Sequence, residues 1–150
     1  MPVHLSRRVD FPMVDMAGVS YYPRIFDLAH RFFEESWDEL CGISYPEIIN
    51  VLNLGFPVVD VKSSFIKPLR YGDTIDAEIS ITEVGTKSCK WRYVFKNQQG
   101  DLLWQSEQVT VCVNMTTMES QDIPEQLKNC LLYTSPSPRD LSTSRMPSSA

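Results

Sequence analysis

The feature that most constrains this chain is a change of hydrophobic period near Gly55. Before it, Phe26, Ala29, Phe33, Trp37 and Leu40 recur at three- and four-residue steps. That spacing puts them along one side of a helix, with Arg24, Asp27, Arg31, Glu34, Glu35 and Asp38 mostly opposite. Pro23 suits the start of such a helix, where a missing N–H costs nothing, and Gly42 suits its end. After the change, Ile75, Ala77, Ile79 and Ile81 alternate with polar residues, as do Cys89, Trp91, Tyr93 and Phe95, and then Val109, Val111 and Val113. Alternation at period two describes half-buried strands. It predicts runs at about 57–67, 73–84, 88–98 and 101–115, separated by turn signals at Tyr71-Gly72-Asp73 and Asn97-Gln98-Gln99-Gly100-Asp101. Val9, Phe11 and Met13 predict a further strand within 5–14, a shorter helix is expected over 45–54 from Pro46, and Pro124 opens a last helix. A strand, a long one-sided helix and a four-strand meander predict one α+β domain, an antiparallel five-stranded sheet wrapped around a long central helix.

Composition narrows the function classes. A chain of 150 residues fits one domain with a core of its own. The net charge is −5, and Lys and Arg cluster no further than the pair Arg7-Arg8. Nucleic acid is therefore excluded as the main partner, since phosphate backbones demand a concentrated basic face. No apolar stretch approaches the roughly 18 residues of a membrane span. The opening Met1-Pro2-Val3-His4-Leu5-Ser6 has neither apolar run nor small-residue cleavage site, which predicts no secretory leader. Cys41, Cys89, Cys112 and Cys130 match no zinc or redox spacing, and Cys89 and Cys112 fall in apolar strand patterns. A reducing cytoplasmic setting with no metal and no cofactor is expected.

The end of the chain changes character. Residues 131–150 hold six Ser and three Pro with no hydrophobic period. The stretch resembles the translation of a transposase-type sequencing adapter, with Cys130 to Asp140 and Ser144 to Ala150 falling in its fixed parts. On that reading residues 130–150 form a non-native, disordered tail, and the folded domain is 1–129. A genomic read continuing past Asn129 with the same codons would refute it.

Chemistry concentrates between residues 15 and 30. Asp15-Met16-Ala17-Gly18 reads as a turn in which Gly18 is free to take positive φ. It stands just before a helix whose first N–H groups lack intrahelical partners. A carboxylate beside such donors is what acyl transfer needs: one attacks or activates water, the others hold the developing oxyanion. Pattern alone favours a plainer role, Asp15 as a turn or capping residue.

The nine residues Asp15-Met16-Ala17-Gly18-Val19-Ser20-Tyr21-Tyr22-Pro23 resemble the 4-hydroxybenzoyl-CoA thioesterase family, whose signature D-x-x-G-[IV]-x-[FYW]-Y-P opens the central helix of a hotdog fold. Phe65-Ile66-Lys67-Pro68-Leu69-Arg70-Tyr71-Gly72-Asp73 and Asp122-Ile123-Pro124-Glu125 extend the likeness over nearly all of 6–128. The resemblance implies Asp15 as catalytic carboxylate, acting as nucleophile or as general base, and the backbone N–H of Tyr22 as oxyanion donor. Gly18 and Pro23 are then substrate-site residues that shape the loop and the helix start. Where the 4-hydroxybenzoyl-specific enzyme has a phenol-binding Asp, this chain has His30, spaced by four from Phe26 and Tyr22. His30 is expected either at the acyl pocket or as a plain core-edge histidine. Lys87 matches a CoA-phosphate position in the family, although two flanking Arg positions are Gly85 and Thr86 here; Lys62, Lys67 and Arg70 are alternatives without a motif.

The function implied is hydrolysis of an acyl-CoA thioester to free acid and CoA by a homodimer or homotetramer. Two alternatives are a hotdog dehydratase or hydratase, which generally pairs a His with a carboxylate, and a non-catalytic acyl-CoA-binding protein. His4 and His30 are the histidines available, and neither sits in the expected context.

Overall fold

The computed structural model describes residues 2–19 and 22–134. Strand β1 (Val3–Arg8) leads into helix α1 (Tyr22–Cys41) and a short helix α2 (Tyr45–Asn50). Strands β2 (Leu54–Gly55), β3 (Val58–Phe65), β4 (Thr74–Val84), β5 (Ser88–Lys96), β6 (Leu102–Val111) and β7 (Val113–Asn114) follow, and helix α3 (Glu125–Thr134) closes the chain. The main sheet has five antiparallel strands in the order β1-β4-β5-β6-β3, while β2 and β7 pair separately.

The sheet curls around α1 because its inward rows are large and apolar. Leu5, Ala77, Phe95, Trp104 and Phe65 lie in register across the five strands. Facing them, α1 buries Ile25, Leu28, Ala29, Phe32, Phe33, Ser36 and Trp37. Edge-on ring contacts fasten the two layers: Phe26 to Trp104 at 5.7 Å, Phe32 to Phe95 at 5.5 Å and Phe33 to Trp91 at 4.9 Å. Burying one such side chain stabilises the fold by about 1.5–3 kcal/mol. The expected stripe is therefore rotated slightly, with Phe26 and Leu40 at its half-buried margins. Gly42, at φ 66°, ends α1 and donates its N–H to the Asp38 carbonyl at 3.0 Å, the usual left-handed helix stop.

Near the β3 edge the inward face turns polar. Ser106, Gln108 and Thr110 are buried on β6. Ser63 and Ser106 share a hydrogen bond of 2.8 Å, Gln108 Nε2 donates to Ser106 Oγ at 3.3 Å, and Trp91 Nε1 donates to Thr110 Oγ1 at 2.9 Å.

Three boundaries differ from the sequence reading. The strand expected within 5–14 ends at Arg8, and Phe11–Met13 form a 3-10 turn. Pro12 has no N–H for a ladder, and Met13 and Val14 donate instead to the carbonyls of Asp10 and Phe11. The run at 101–115 divides at Cys112, where β7 leaves to pair with β2. Helix α3 runs past Asn129 to Thr134, with Ile123, Leu127 and Leu131 making one buried stripe at four-residue steps. Cys130 lies in the middle of this helix and is disulfide-bonded to Cys41 at the end of α1. The tail reading for 135–150 lies outside the described residues. Among the described residues no helix is long and apolar enough to cross a membrane, and no group of His, Cys, Asp or Glu is gathered to hold a metal ion.

Candidate active site

Asp15 heads a tight reverse turn. Gly18 N–H donates to the Asp15 carbonyl at 3.0 Å, Asp15 N–H donates to the Val19 carbonyl at 3.0 Å, and Gly18 takes φ 79°. Asp at the first turn position and Gly at the fourth is a favoured pairing. The side chain joins in: Asp15 Oδ1 accepts from Ala17 N–H at 2.9 Å. Oδ2 has no partner among the described residues. One carboxylate oxygen therefore builds the turn, while the other stays unengaged on an exposed residue.

The turn is fixed to the sheet from the far side of the sequence. Tyr71 N–H donates to the Gly18 carbonyl at 2.9 Å, and Val19 bridges Arg70. Val9 N–H donates to the Asp73 carbonyl at 2.7 Å and Gly72 N–H to the Val9 carbonyl at 3.0 Å, so segments 9–19 and 70–73 form one unit. Tyr22 opens α1 and Pro23 follows it, which places both at the helix end nearest this turn in sequence.

An open depression of about 510 Å³ surrounds Asp15, lined by Phe11, Val14, Met16, Gly18 and Tyr71. Its walls are apolar and unusually bare. Met16 is fully exposed, Phe11 is 73% exposed and Tyr71 60%, and the two rings meet edge-on at 6.0 Å. Sequence reasoning missed Phe11, Met16 and Tyr71. Phe11 looked like a strand residue and Tyr71 like turn punctuation.

The remaining candidates are dispersed. His30 lies on the exposed side of α1, stacks on Phe33 at 5.4 Å and pairs with Glu34 through Nε2 at 3.0 Å. One turn earlier Phe26 packs against Phe65 at 6.2 Å, so the stripe Tyr22-Phe26-His30 follows the margin of the helix beside strand β3. His4 sits on β1 opposite Glu78. Lys87 is exposed in the β4–β5 turn. The eleven residues of β4 separate that turn from the Asp15 loop, roughly 36 Å of strand. One protomer therefore does not bring Lys87 to Asp15. Lys62 points off the outward face of β3 toward Arg92 and Glu107, and Lys67 pairs with Asp101 at 3.7 Å.

A five-stranded antiparallel sheet wrapped around one long helix is the architecture of a hotdog fold. The comparisons agree: the family model of the thioesterase-like superfamily matches residues 9–131, and the chain belongs to that superfamily. A 1,4-dihydroxy-2-naphthoyl-CoA hydrolase from Prochlorococcus marinus (strain NATL2A) is 30% identical over 130 residues, covering 82% of this chain and 83% of the relative. A hydrolase of the same name from Thermosynechococcus vestitus is 25% identical over 122 residues, covering 81% and 83%. Among solved structures, a gentisyl-coenzyme A thioesterase superposes with a TM-score of 0.76 at 26% identity, covering 84% of this chain and 99% of that one. A 1,4-dihydroxy-2-naphthoyl-CoA thioesterase from Synechocystis gives 0.78 at 22% identity, covering 88% and 96%.

Proposed function

We propose that Asp15 is the catalytic carboxylate of this protein and that its acyl group is aromatic. The reaction is hydrolysis of an acyl-CoA thioester to free acid and CoA. The observation that supports Asp15 most directly is its setting: a rigid turn leaves one carboxylate oxygen facing an apolar depression beside the start of α1. An outward oxygen attacks the thioester carbonyl or draws a proton from water. The Tyr22 N–H, at the first position of α1, is the proposed donor to the carbonyl oxygen as it gains charge. Gly18 keeps the turn closed, and Pro23 fixes the helix start without adding a competing donor.

An aromatic acyl group is supported by the relatives, whose names specify naphthoyl and gentisyl thioesters. It is also supported by the rings beside the helix margin, Phe26, Phe65 and Trp104. A 4-hydroxybenzoyl substrate has no such support, because His30 occupies the position of the phenol-binding carboxylate and is engaged by Glu34. Neither His30 nor His4 lines the depression at Asp15, which counts against the dehydratase reading.

We further read the working unit as a homodimer joined along β3. That strand ends the sheet with one side unpaired, and Val58, Val59, Val61, Phe65 and Ile66 are all at least 42% exposed. A long apolar edge of this kind is a template for a second strand. A second copy also offers the route by which Lys87 reaches a ligand at Asp15 of its neighbour. We place the protein in the cytoplasm.

The test is Asp15→Asn. The amide oxygen still accepts from Ala17 N–H, so the turn survives while the base or nucleophile is lost. The expected kcat, read by free-thiol release from aromatic and aliphatic acyl-CoAs, falls by about 10²–10⁴ with KM nearly unchanged. Wild-type turnover by this variant across the panel would eliminate the Asp15 mechanism.

A further inference from the structure

The inner face of the sheet carries a polar strip. Along β6 the residues that point toward α1 are Trp104, Ser106, Gln108 and Thr110, all more than nine-tenths buried. The strip lies beside the outer margin of the helix. Phe26 packs on Trp104 at 5.7 Å, and Phe33 packs at 4.9 Å on Trp91, which pairs with Gln108. That margin therefore runs alongside β6 from Trp104 to Gln108.

Several polar atoms of the strip are left over after its own bonds are made. Ser106 has one hydroxyl proton and gives it to the Lys62 carbonyl at 3.0 Å. Ser63 and Gln108 Nε2 are therefore the donors to Ser106 Oγ, at 2.8 and 3.3 Å. The Ser63 oxygen and Gln108 Oε1 remain as acceptors with no donor among the described residues. Trp104 Nε1 is a buried donor with no acceptor among them. Trp37 Nε1 is unpaired too, but the rings of Phe33, Tyr45, Phe56 and Trp91 surround it. The Trp104 end is different, because the strip is open on its β3 side. Ser63 is half-buried there, between Val61 at 44% and Phe65 at 53% exposure. Core polar groups are normally paired, so open donors and acceptors beside an aromatic margin call for a ligand with complementary atoms.

Phe26 stands four residues past Tyr22, about 6 Å along the helix axis. That is roughly one benzene ring from a carbonyl held at the Tyr22 N–H. We propose that Trp104, Ser63 and Gln108 are specificity-determining residues that read oxygen substituents on the acyl ring. Trp104 Nε1 donates to a substituent oxygen, and the Ser63 and Gln108 oxygens accept from ring hydroxyls. The acyl group they select is an aromatic ring with at least one hydroxyl on the edge away from the thioester. This rests on the reading of an aromatic acyl group beside Tyr22. A plain ring or an alkyl chain leaves all three groups without partners.

Thiol-release rates with benzoyl-CoA, its monohydroxy and dihydroxy derivatives and a straight-chain acyl-CoA test this. The readout is the kcat/KM of the best hydroxylated ring divided by that of benzoyl-CoA, a ratio that a general loss of folded protein does not move. Wild type is expected to favour a hydroxylated ring by roughly 10-fold or more. Gln108→Leu and Trp104→Phe are each expected to lower the ratio roughly 3- to 10-fold, the worth of one hydrogen bond, with benzoyl-CoA turnover near wild type. Ser63→Ala, at a half-buried position on the edge strand, carries the same expectation where a core variant fails to fold. An unchanged ratio in the folded variants overturns the proposal, as does an equal loss for hydroxylated and plain rings. Wild type that turns over benzoyl-CoA as well as its hydroxy derivatives also overturns it and leaves the aromatic reading standing. Wild type that hydrolyses the straight-chain substrate and no aromatic one removes the aromatic reading, and this proposal with it.

Discussion

Gly18 separates the stability of the reactive turn from its chemistry. Its φ of 79° lies in the region that residues with a Cβ avoid, at a cost of about 1–2 kcal/mol. A Cβ built on Gly18 meets nothing within 4 Å, so no steric clash adds to that cost. The substitutions Asn, Ala and Val should therefore rank by backbone preference alone. Asn, which tolerates this region, costs least, Ala about 1–2 kcal/mol, and the β-branched Val most. Three backbone bonds of 2.9–3.0 Å, from Gly18, Asp15 and Tyr71 N–H groups, hold the turn against relaxation. We expect Gly18→Asn and Gly18→Ala to keep that turn and place the strain in global stability. Gly18→Val opens it, and a displacement of Asp15 by about 1 Å lowers kcat on the order of 100-fold. Urea unfolding reads the first effect and thiol-release rates the second. A Gly18→Ala protein as stable as wild type would show that the turn is not held at positive φ in solution. Equal kcat in all three variants would separate the turn from catalysis.

Three further outcomes are expected. The protein sediments as a dimer, and Val61→Lys on β3 shifts it toward monomer; a wild-type monomer at micromolar concentration would remove the edge-pairing model. Thr110→Val leaves the buried Trp91 Nε1 without an acceptor at almost constant volume, costing about 1–3 kcal/mol in denaturant unfolding, and a loss near zero would mean that the indole finds another partner. Burial pushes the Cys89 thiol up to about 12 and the Cys112 thiol to about 11 from an ordinary 9.0. Their folded-state values are raised, so the stabilising contribution is complete below pH 9 and is lost as pH rises toward 11 and 12. Unfolding free energy should therefore decline above pH 9, less so in Cys89→Ala with Cys112→Ala.

The central helix and the sheet were legible because each has one buried face and a period to match. Trp91, Tyr93 and Phe95 alternate in the sequence and point inward in register. The turn at Asp15 was legible for a local reason, since turn geometry is written in consecutive residues. Tyr71 and Arg70 were not. Their relation to Asp15 comes from backbone bonds across more than fifty positions, and their residue types fit an ordinary turn. Phe11 misled for the opposite reason: its alternation with Val9 and Met13 mimics a strand, while Pro12 between them breaks the ladder. Lys87 rests on a matched position alone, and within one protomer the eleven residues of β4 separate it from the Asp15 loop.

The role proposed for Asp15 makes two demands that pull in different directions. A reactive carboxylate needs an open lone pair, whereas an exposed side chain in a loop is ordinarily mobile. The short Asp side chain resolves this by bonding Ala17 N–H through one oxygen, which fixes the direction of the other. Glutamate in the same place has the same acid but reaches past the turn, so it loses the bond that aims it. Exposure then becomes consistent with precision. The bare surfaces of Phe11, Met16 and Tyr71 around the loop and of Val61 and Phe65 along β3 mark what a single protomer leaves uncovered. A thioester at the loop and a second copy along the strand are the two partners we propose for those surfaces.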